Sequence, residues 1–307
     1  MTEEQYLKNL ECPTGDVDVV LDTDAYNEID DQFAIAYLLR AKEKLHVRGI
    51  CAAPFQNKKA ATPAEGMQKS YDEIFKILRL MHEEELTACV YRGSEEYLPD
   101  EVTPVFSDAA RFMATLADSY TPERPLYIVA IGAITNVASA LLLNPAMKEK
   151  VVVVWLGGHA LHWPNTAEFN MRQDIAGARV LFGCGVPLIQ LPCKGVVDRF
   201  STSRYELEHW LLGKNDLCDY LVANATREAE SYAAGKPWTR VIWDVTAVAW
   251  LLDEEGKFLG SKRIPSPIVT YERKYETGED RHPIRYVTEV KRDALFEDLF
   301  RRLGETQ

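Results

Sequence analysis

Residues 17–39 read VDVVLDTDAYNEIDDQFAIAYLL and bring together four carboxylates, Asp22, Asp24, Asp30 and Asp31. The apolar run Val19-Val20-Leu21 reads as a strand that delivers Asp22 and Asp24, and the apolar residues from Phe33 to Leu39 read as a buried helix opened by Asp30 and Asp31. Carboxylates held this close repel one another and raise each other's pKa unless a cation or a set of backbone N–H donors compensates. A divalent metal is therefore the first chemistry to expect, since clustered acids mark metal or acid–base sites. The plainer alternative is a solvated acidic turn in which Asp30 or Asp31 caps the helix. Four acids behind an apolar strand favour the site over the cap.

Other strand ends carry notable residues as well, among them the loop from Pro54 to Asn57. Ile131-Gly132 and Gly157-Gly158-His159 follow the apolar runs at 126–131 and 151–156, and Asp244 directly precedes the apolar segment 245–252. In open α/β sheets ligands bind beyond the carboxyl ends of the strands. If these ends converge, Asp24, Asp31 and Asp244 can hold a hard cation through oxygen, with backbone carbonyls and waters completing a shell of the Ca²⁺ type. A helix cap is the plain alternative for Asp244.

The elements that must position these groups follow from periodicity. Strands are expected at 46–53, 87–91, 126–131, 151–156 and 187–191, and helices at 67–82, 107–119, 132–143, 174–181, 245–252 and 292–303. A polar loop occupies 54–66, residues 203–235 are mostly helical, and 268–271 with 284–287 resemble a hairpin. Strand–helix alternation with strands apolar along their whole length implies parallel pairing and burial on both faces. The expectation is a single doubly wound α/β domain over 1–307, with a mostly parallel central sheet, helices on both faces and a small C-terminal hairpin.

Bulk properties narrow the partners. A net charge of -12 and a pI near 5.1 provide no basic face for nucleic acid. Six scattered cysteines without a CxxC pair imply reduced thiols in the cytoplasm. The acidic, polar N-terminus is unlike a signal peptide, and no apolar run approaches the ~18 residues of a membrane span. A soluble intracellular protein acting on a small molecule is expected.

The acidic stretch, GAITN at 132–136, WLGG at 155–158, Glu168-Phe169-Asn170 and the helix led by Asp244 stand in the order found in the inosine-uridine nucleoside hydrolase family, which this chain resembles over about residues 17–255. The resemblance implies an α/β core with tightly bound Ca²⁺, assembly as a homodimer or homotetramer, a salvage role, and hydrolysis of a ribonucleoside to ribose and free base. Carried over, it makes Asp24, Asp31, Asp244 and the Ile131 carbonyl the calcium ligands. Asp30 becomes the general base towards a water held by the cation. Asn170 would bind the ribose hydroxyls and Glu168 the 5′-hydroxyl, with Asn165 assisting there and Asn57 on the ribose or the water.

Two departures from the family pattern stand out. Five residues, Ala25-Tyr26-Asn27-Glu28-Ile29, separate Asp24 from Asp30, a longer interval than the family's usual one, and this can bring Asn27 or Glu28 into the site. Trp243 occupies the position where many members carry a histidine thought to protonate the leaving base. A tryptophan is no acid, although its ring can stack on a nucleobase. His159 and His162 are candidate substitutes, and Tyr232 and Trp238 candidate pocket walls. Two rival readings follow: a ribose or nucleoside binder that keeps the metal site without catalysis, and a haloacid dehalogenase-type phosphatase built on the DxD of Asp22-Thr23-Asp24.

Overall fold

The computed structural model describes residues 1–305. After a short helix, α1 (Glu3–Asn9), come β1 (Val17–Thr23), α2 (Asp30–Leu39), β2 (Leu45–Ala52), α3 (Pro63–Leu80), β3 (Val90–Tyr91) and α4 (Asp108–Leu116). The alternation continues with β4 (Leu126–Ala130), α5 (Thr135–Leu143), β5 (Val151–Leu156), α6 (Phe169–Gln173), α7 (Ile175–Gly183) and β6 (Leu188–Leu191). A mostly helical section follows: β7 (Ser201–Ser203), α8 (Arg204–Leu211), α9 (Asp216–Ala233), β8 (Thr239–Val241) and α10 (Val245–Leu252). The chain closes with β9 (Leu259–Pro265), β10 (Ile268–Val269), β11 (Tyr275–Glu276), β12 (Pro283–Val290) and α11 (Arg292–Gly304).

Eight strands form the central sheet in the order β3-β2-β1-β4-β5-β6-β12-β9. All neighbours are parallel except β9 and β12. The pleat divides the core in two. Val19, Leu21, Val152 and Val154 face one hydrophobic cluster with α2, α3, α10 and α11, while Val20, Val151 and Val153 face the other with α4, α5 and α7. Strand order reverses at β1, which lies between β2 and β4. The crevice beyond the carboxyl ends of β1 and β4 is thus the topological switch point where an open sheet binds its ligand.

The doubly wound architecture and the sheet are those the sequence implies, with differences at the margins. Helix α3 starts at Pro63, capped by the Thr62 hydroxyl, so the last four residues of the expected loop, 63–66, are its first turn. The strand expected at 87–91 is reduced to Val90–Tyr91 behind a 3₁₀ turn at Glu84–Cys89. The C-terminal hairpin exists, but Ile268–Val269 pairs with Tyr275–Glu276, whereas residues 284–287 lie in β12 of the main sheet. Their antiparallel partner β9 was not expected, because LGSKRIP is a polar edge strand without an apolar alternation to betray it.

Candidate active site

Strand β1 runs apolar to Leu21 and ends in the Asp22-Thr23-Asp24 acids at the switch point, and α2 starts at Asp30 after the extended turn. Asp244 arrives from the opposite side at the head of α10, which packs against α2. Carboxylate oxygens of Asp30, Asp31 and Asp244 lie within 4.8 Å of one another. Asp24, Asp30, Asp31 and Asp244 are each at most 3% exposed. Gly132 permits this approach of strands, since a Cβ there would stand 3.2 Å from the Asp24 nitrogen and 2.9 Å from Ala53 Cβ.

Two of the four acids keep an oxygen without the donor a buried carboxylate requires. Asp31 Oδ1 accepts from Thr23 Oγ1 at 2.5 Å. Asp24 Oδ2 and Asp30 Oδ1, by contrast, have no hydrogen-bond partner among the described residues. Burial, and then the neighbouring acids, raise Asp24 and Asp244 well above the carboxylate range, while burial followed by Glu28 does so for Asp30. Burial raises Asp31 to about 6. A dense set of oxygen donors with unfilled lone pairs and mutual repulsion fits a hard divalent cation.

A cavity of about 160 Å³ opens over these acids. Its lining includes Asp24, Asp30, Asp31, Ile131, Glu168, Asn170, Trp243 and Asp244 of the expected residues. Asn170 donates from Nδ2 to the Ile131 carbonyl at 3.1 Å and to the Leu156 carbonyl at 3.0 Å. This fixes the amide across the ends of β4 and β5 and leaves Oδ1 without a partner among the described residues. Glu168 caps α6, accepting from the N–H groups of Gly158 at 3.0 Å, Asn170 at 2.8 Å and Met171 at 2.9 Å. Gly158 sits at φ +78°, a conformation that suits glycine.

Asn57 and Asn165 do not line the cavity. Asn165 is exposed and accepts from the Ala167 N–H at 2.9 Å, while Asn57 donates from Nδ2 to Asn27 Oδ1 at 2.7 Å. Asp22 does not bond the turn. It accepts at 2.7 Å from Asn136 of the GAITN segment, and so ties β1 to α5 behind the site. Of the candidate donors, His159 lines the cavity and His162 is exposed outside it. His159 Nδ1 accepts from the Lys194 N–H at 3.4 Å, and burial, then the Lys194 charge, lower its pKa to about 4. It is therefore neutral near pH 7, with Nε2 carrying the proton. Tyr232 and Trp238 stay outside the cavity, whereas Cys193 and Lys194, which the sequence reading passed over, enter it. They follow β6, so the rule that strand ends carry ligands points to them as well.

The lengthened turn is held at Ala25, Asn27 and Glu28. Gln32 Nε2 donates to the Ala25 carbonyl at 3.3 Å and Lys59 Nζ to the Asn27 carbonyl at 2.7 Å. Glu28 pairs with Arg240 at 2.8 Å, and Glu228 receives both Lys59 at 2.8 Å and Arg240 at 3.4 Å. Asn27 and Glu28 both line the cavity.

With this geometry in place, comparison with known proteins is informative. The family model described as inosine-uridine preferring nucleoside hydrolase matches residues 19–297. The chain belongs to this family. The phosphatase reading falls with that match. Among curated relatives, the pyrimidine-specific ribonucleoside hydrolase RihA of Salmonella typhimurium is 29% identical over 159 residues, covering 50% of this chain and 50% of the relative. That of Salmonella paratyphi A is 28% identical over the same length. The chain thus spans about half the length of the curated relatives it matches. Solved nucleoside hydrolases share the fold. The plant enzyme PpNRh1 superposes with a TM-score of 0.74 at 18% identity over 94% of this chain and 99% of its own. The purine-preferring enzyme of Gardnerella vaginalis gives 0.70 at 19% identity over 94% and 98%.

Proposed function

We propose that this nucleoside hydrolase family member cleaves the N-glycosidic bond of ribonucleosides, with Asp30 as base and Ca²⁺ as cofactor. The carrying observation is the set of buried carboxylates without donors at the switch point, opening on a sugar-sized cavity. Asp24, Asp31, Asp244 and the Ile131 carbonyl would hold the cation. When bound it supplies positive charge that anchors ribose hydroxyls and acidifies a nearby water. Asp30 takes a proton from the attacking water, whose oxygen bonds to C1′ as the C1′–N bond breaks, and the base leaves with that electron pair and takes its proton from solvent. The departing bond leaves positive charge on the ribosyl ring, and the surrounding carboxylates stabilise it.

The remaining side chains orient the substrate. Asn170 offers Oδ1 to ribose hydroxyls, its amide locked by two strand-end carbonyls. Glu168, positioned by three N–H donors, faces the 5′ end. Trp243 provides a stacking face for the leaving base where the family pattern has an acid, and neutral His159 offers a hydrogen bond from Nε2 rather than a proton. Six unpaired cysteines agree with a reducing compartment, and no described helix is long and apolar enough to cross a membrane.

Release of p-nitrophenol from p-nitrophenyl riboside, beside base release from a panel of purine and pyrimidine nucleosides, tests the proposal. Turnover of the activated riboside is expected even without a leaving-group acid. Calorimetric binding of ribose with no release of p-nitrophenol would instead establish the binder.

A further inference from the structure

We propose that Asn27, contributed by the lengthened turn, binds a ribose hydroxyl as a hydrogen-bond donor, and that Asn57 is a positioning residue acting through it. The inference rests on the ribosyl-substrate reading above. Its starting point is a chain of hydrogen bonds whose direction is forced. The Lys59 backbone N–H can only donate, and it donates to Asn57 Oδ1 at 2.7 Å. The other atom of the Asn57 amide is therefore its NH₂, which donates to Asn27 at 2.7 Å, so the atom it meets is Asn27 Oδ1. By elimination the Asn27 NH₂ faces away from Asn57. Asn27 is 6% exposed, lines the cavity, and its Nδ2 has no partner among the described residues.

An unpaired amide donor at the wall of this cavity has an evident use. Around it the cavity presents acceptors: Asp24, Asp30, Asp31, Asp244 and Asn170 Oδ1. A ribose hydroxyl can give its proton to one of these, but its oxygen lone pair then needs a donor. Asn27 Nδ2 supplies one from the side of the turn, without adding charge to an acidic pocket. The backbone around it is rigid: the Asn27 N–H bonds the Asp24 carbonyl at 2.7 Å, and Lys59 Nζ holds the Asn27 carbonyl. The two-layer arrangement also explains why Asn57 stands outside the cavity. The longer turn inserts one asparagine between Asn57 and the sugar and passes the donor inward.

The test is a double-mutant cycle on kcat/KM for p-nitrophenyl riboside, with calcium content and thermal unfolding measured for each protein. Asn27→Ala should lower kcat/KM at least tenfold with calcium content as in the wild type. Asn57→Ala, which leaves Asn27 in place but frees its amide to rotate, should lower it less, and in the Asn27→Ala background it should cost nothing further. A value for Asn27→Ala within twofold of wild type overturns the proposal, as do losses that simply add in the double variant. Ribose affinity by calorimetry separates failure of this inference from failure of the hydrolase reading. If the wild type releases no p-nitrophenol, Asn27→Ala must still weaken ribose binding at least tenfold, and unchanged affinity refutes the donor role.

Discussion

Two sets of buried carboxylates in this molecule have opposite surroundings. Glu168, Asp174 and Asp253 are raised first by burial, but each is answered by protein donors. Asp174 accepts from the N–H groups of Leu98 at 3.1 Å and Gly177 at 2.7 Å and from Thr135 Oγ1 at 2.6 Å, and Asp253 from the N–H groups of Phe258 at 2.5 Å and Leu259 at 3.0 Å. Asp24, Asp30, Asp31 and Asp244 have the same burial and repel one another, and Asp24 and Asp30 each retain an oxygen without a donor. Burial alone therefore does not mark the site. What marks the site is the clustering of mutually repelling acids with unpartnered oxygens around one cavity, since Asp22 also keeps an unpartnered oxygen but stands behind that cavity, tied to Asn136.

Removing the cation should break this contrast most severely. Without it, the raised acids hold protons in the folded state that they release on unfolding above pH ~4, so folding stability falls as pH rises through the folded values. Asp31, at about 6, places the start of the loss between roughly pH 4 and 6, and the more strongly raised Asp24, Asp30 and Asp244 carry it to higher pH. For Asp31 alone it is on the order of 3 kcal/mol. In chelator, activity should vanish and the unfolding temperature should decline from pH 5 to pH 8, and saturating Ca²⁺ should restore activity and flatten or invert that slope. A slope indifferent to chelator would mean that no ion compensates these acids.

Exchanging one member of each set sharpens the comparison. Asp30→Asn should lower kcat by about 10³, within the range for losing a general base, while calcium content stays at the wild-type level. Its stability should hold or rise, since a repelling charge is removed. Asp253→Asn should do the reverse. Weakening an acceptor for two N–H groups is expected to cost about 2 kcal/mol of stability and leave kcat unchanged. Metal analysis, thermal unfolding and kcat on the two proteins read all of this. Loss of calcium from Asp30→Asn would move Asp30 from base to ligand.

How much of this the sequence showed follows the same division. The parallel strands, apolar along their length, were legible because burial on both faces leaves a continuous apolar run, as in VVVV at 151–154. Edge elements were not: β9 is polar, and β7 and β8 are three residues each, too short for any period to register. At the site, Asp24, Asp30, Asp31 and Asp244 could be read because acids after or before apolar segments are conspicuous. Asn27 and Glu28 show in the sequence only as consequences of a longer turn, and that Asn57 lies outside the cavity against Asn27 depends on one hydrogen bond between residues 30 apart, which no spacing rule contains. Cys193 and Lys194 escaped because neither type at a strand end stands out as an acid does.

The smallest effect is expected at Trp243, where the two sides of the cavity meet different parts of the substrate. On the proposed reading the acids fix the sugar, and Trp243 stands directly before Asp244 with its backbone carbonyl tied to the Thr246 hydroxyl at 2.7 Å, which leaves the ring as its variable part. Aromatic stacking is worth about 0.5–1.5 kcal/mol beyond burial, so Trp243→Ala should raise KM for natural nucleosides by up to about tenfold with kcat within about twofold. That pattern belongs to a ring that grips the base equally before and during bond cleavage. If kcat falls further than KM rises, the ring acts on the departing base in the transition state, and position 243 would then contribute to catalysis by stacking where the family pattern relies on a proton. Trp243→His discriminates further. An imidazole that protonates the leaving base should raise kcat for natural nucleosides and leave p-nitrophenyl riboside, whose leaving group needs no proton, unchanged.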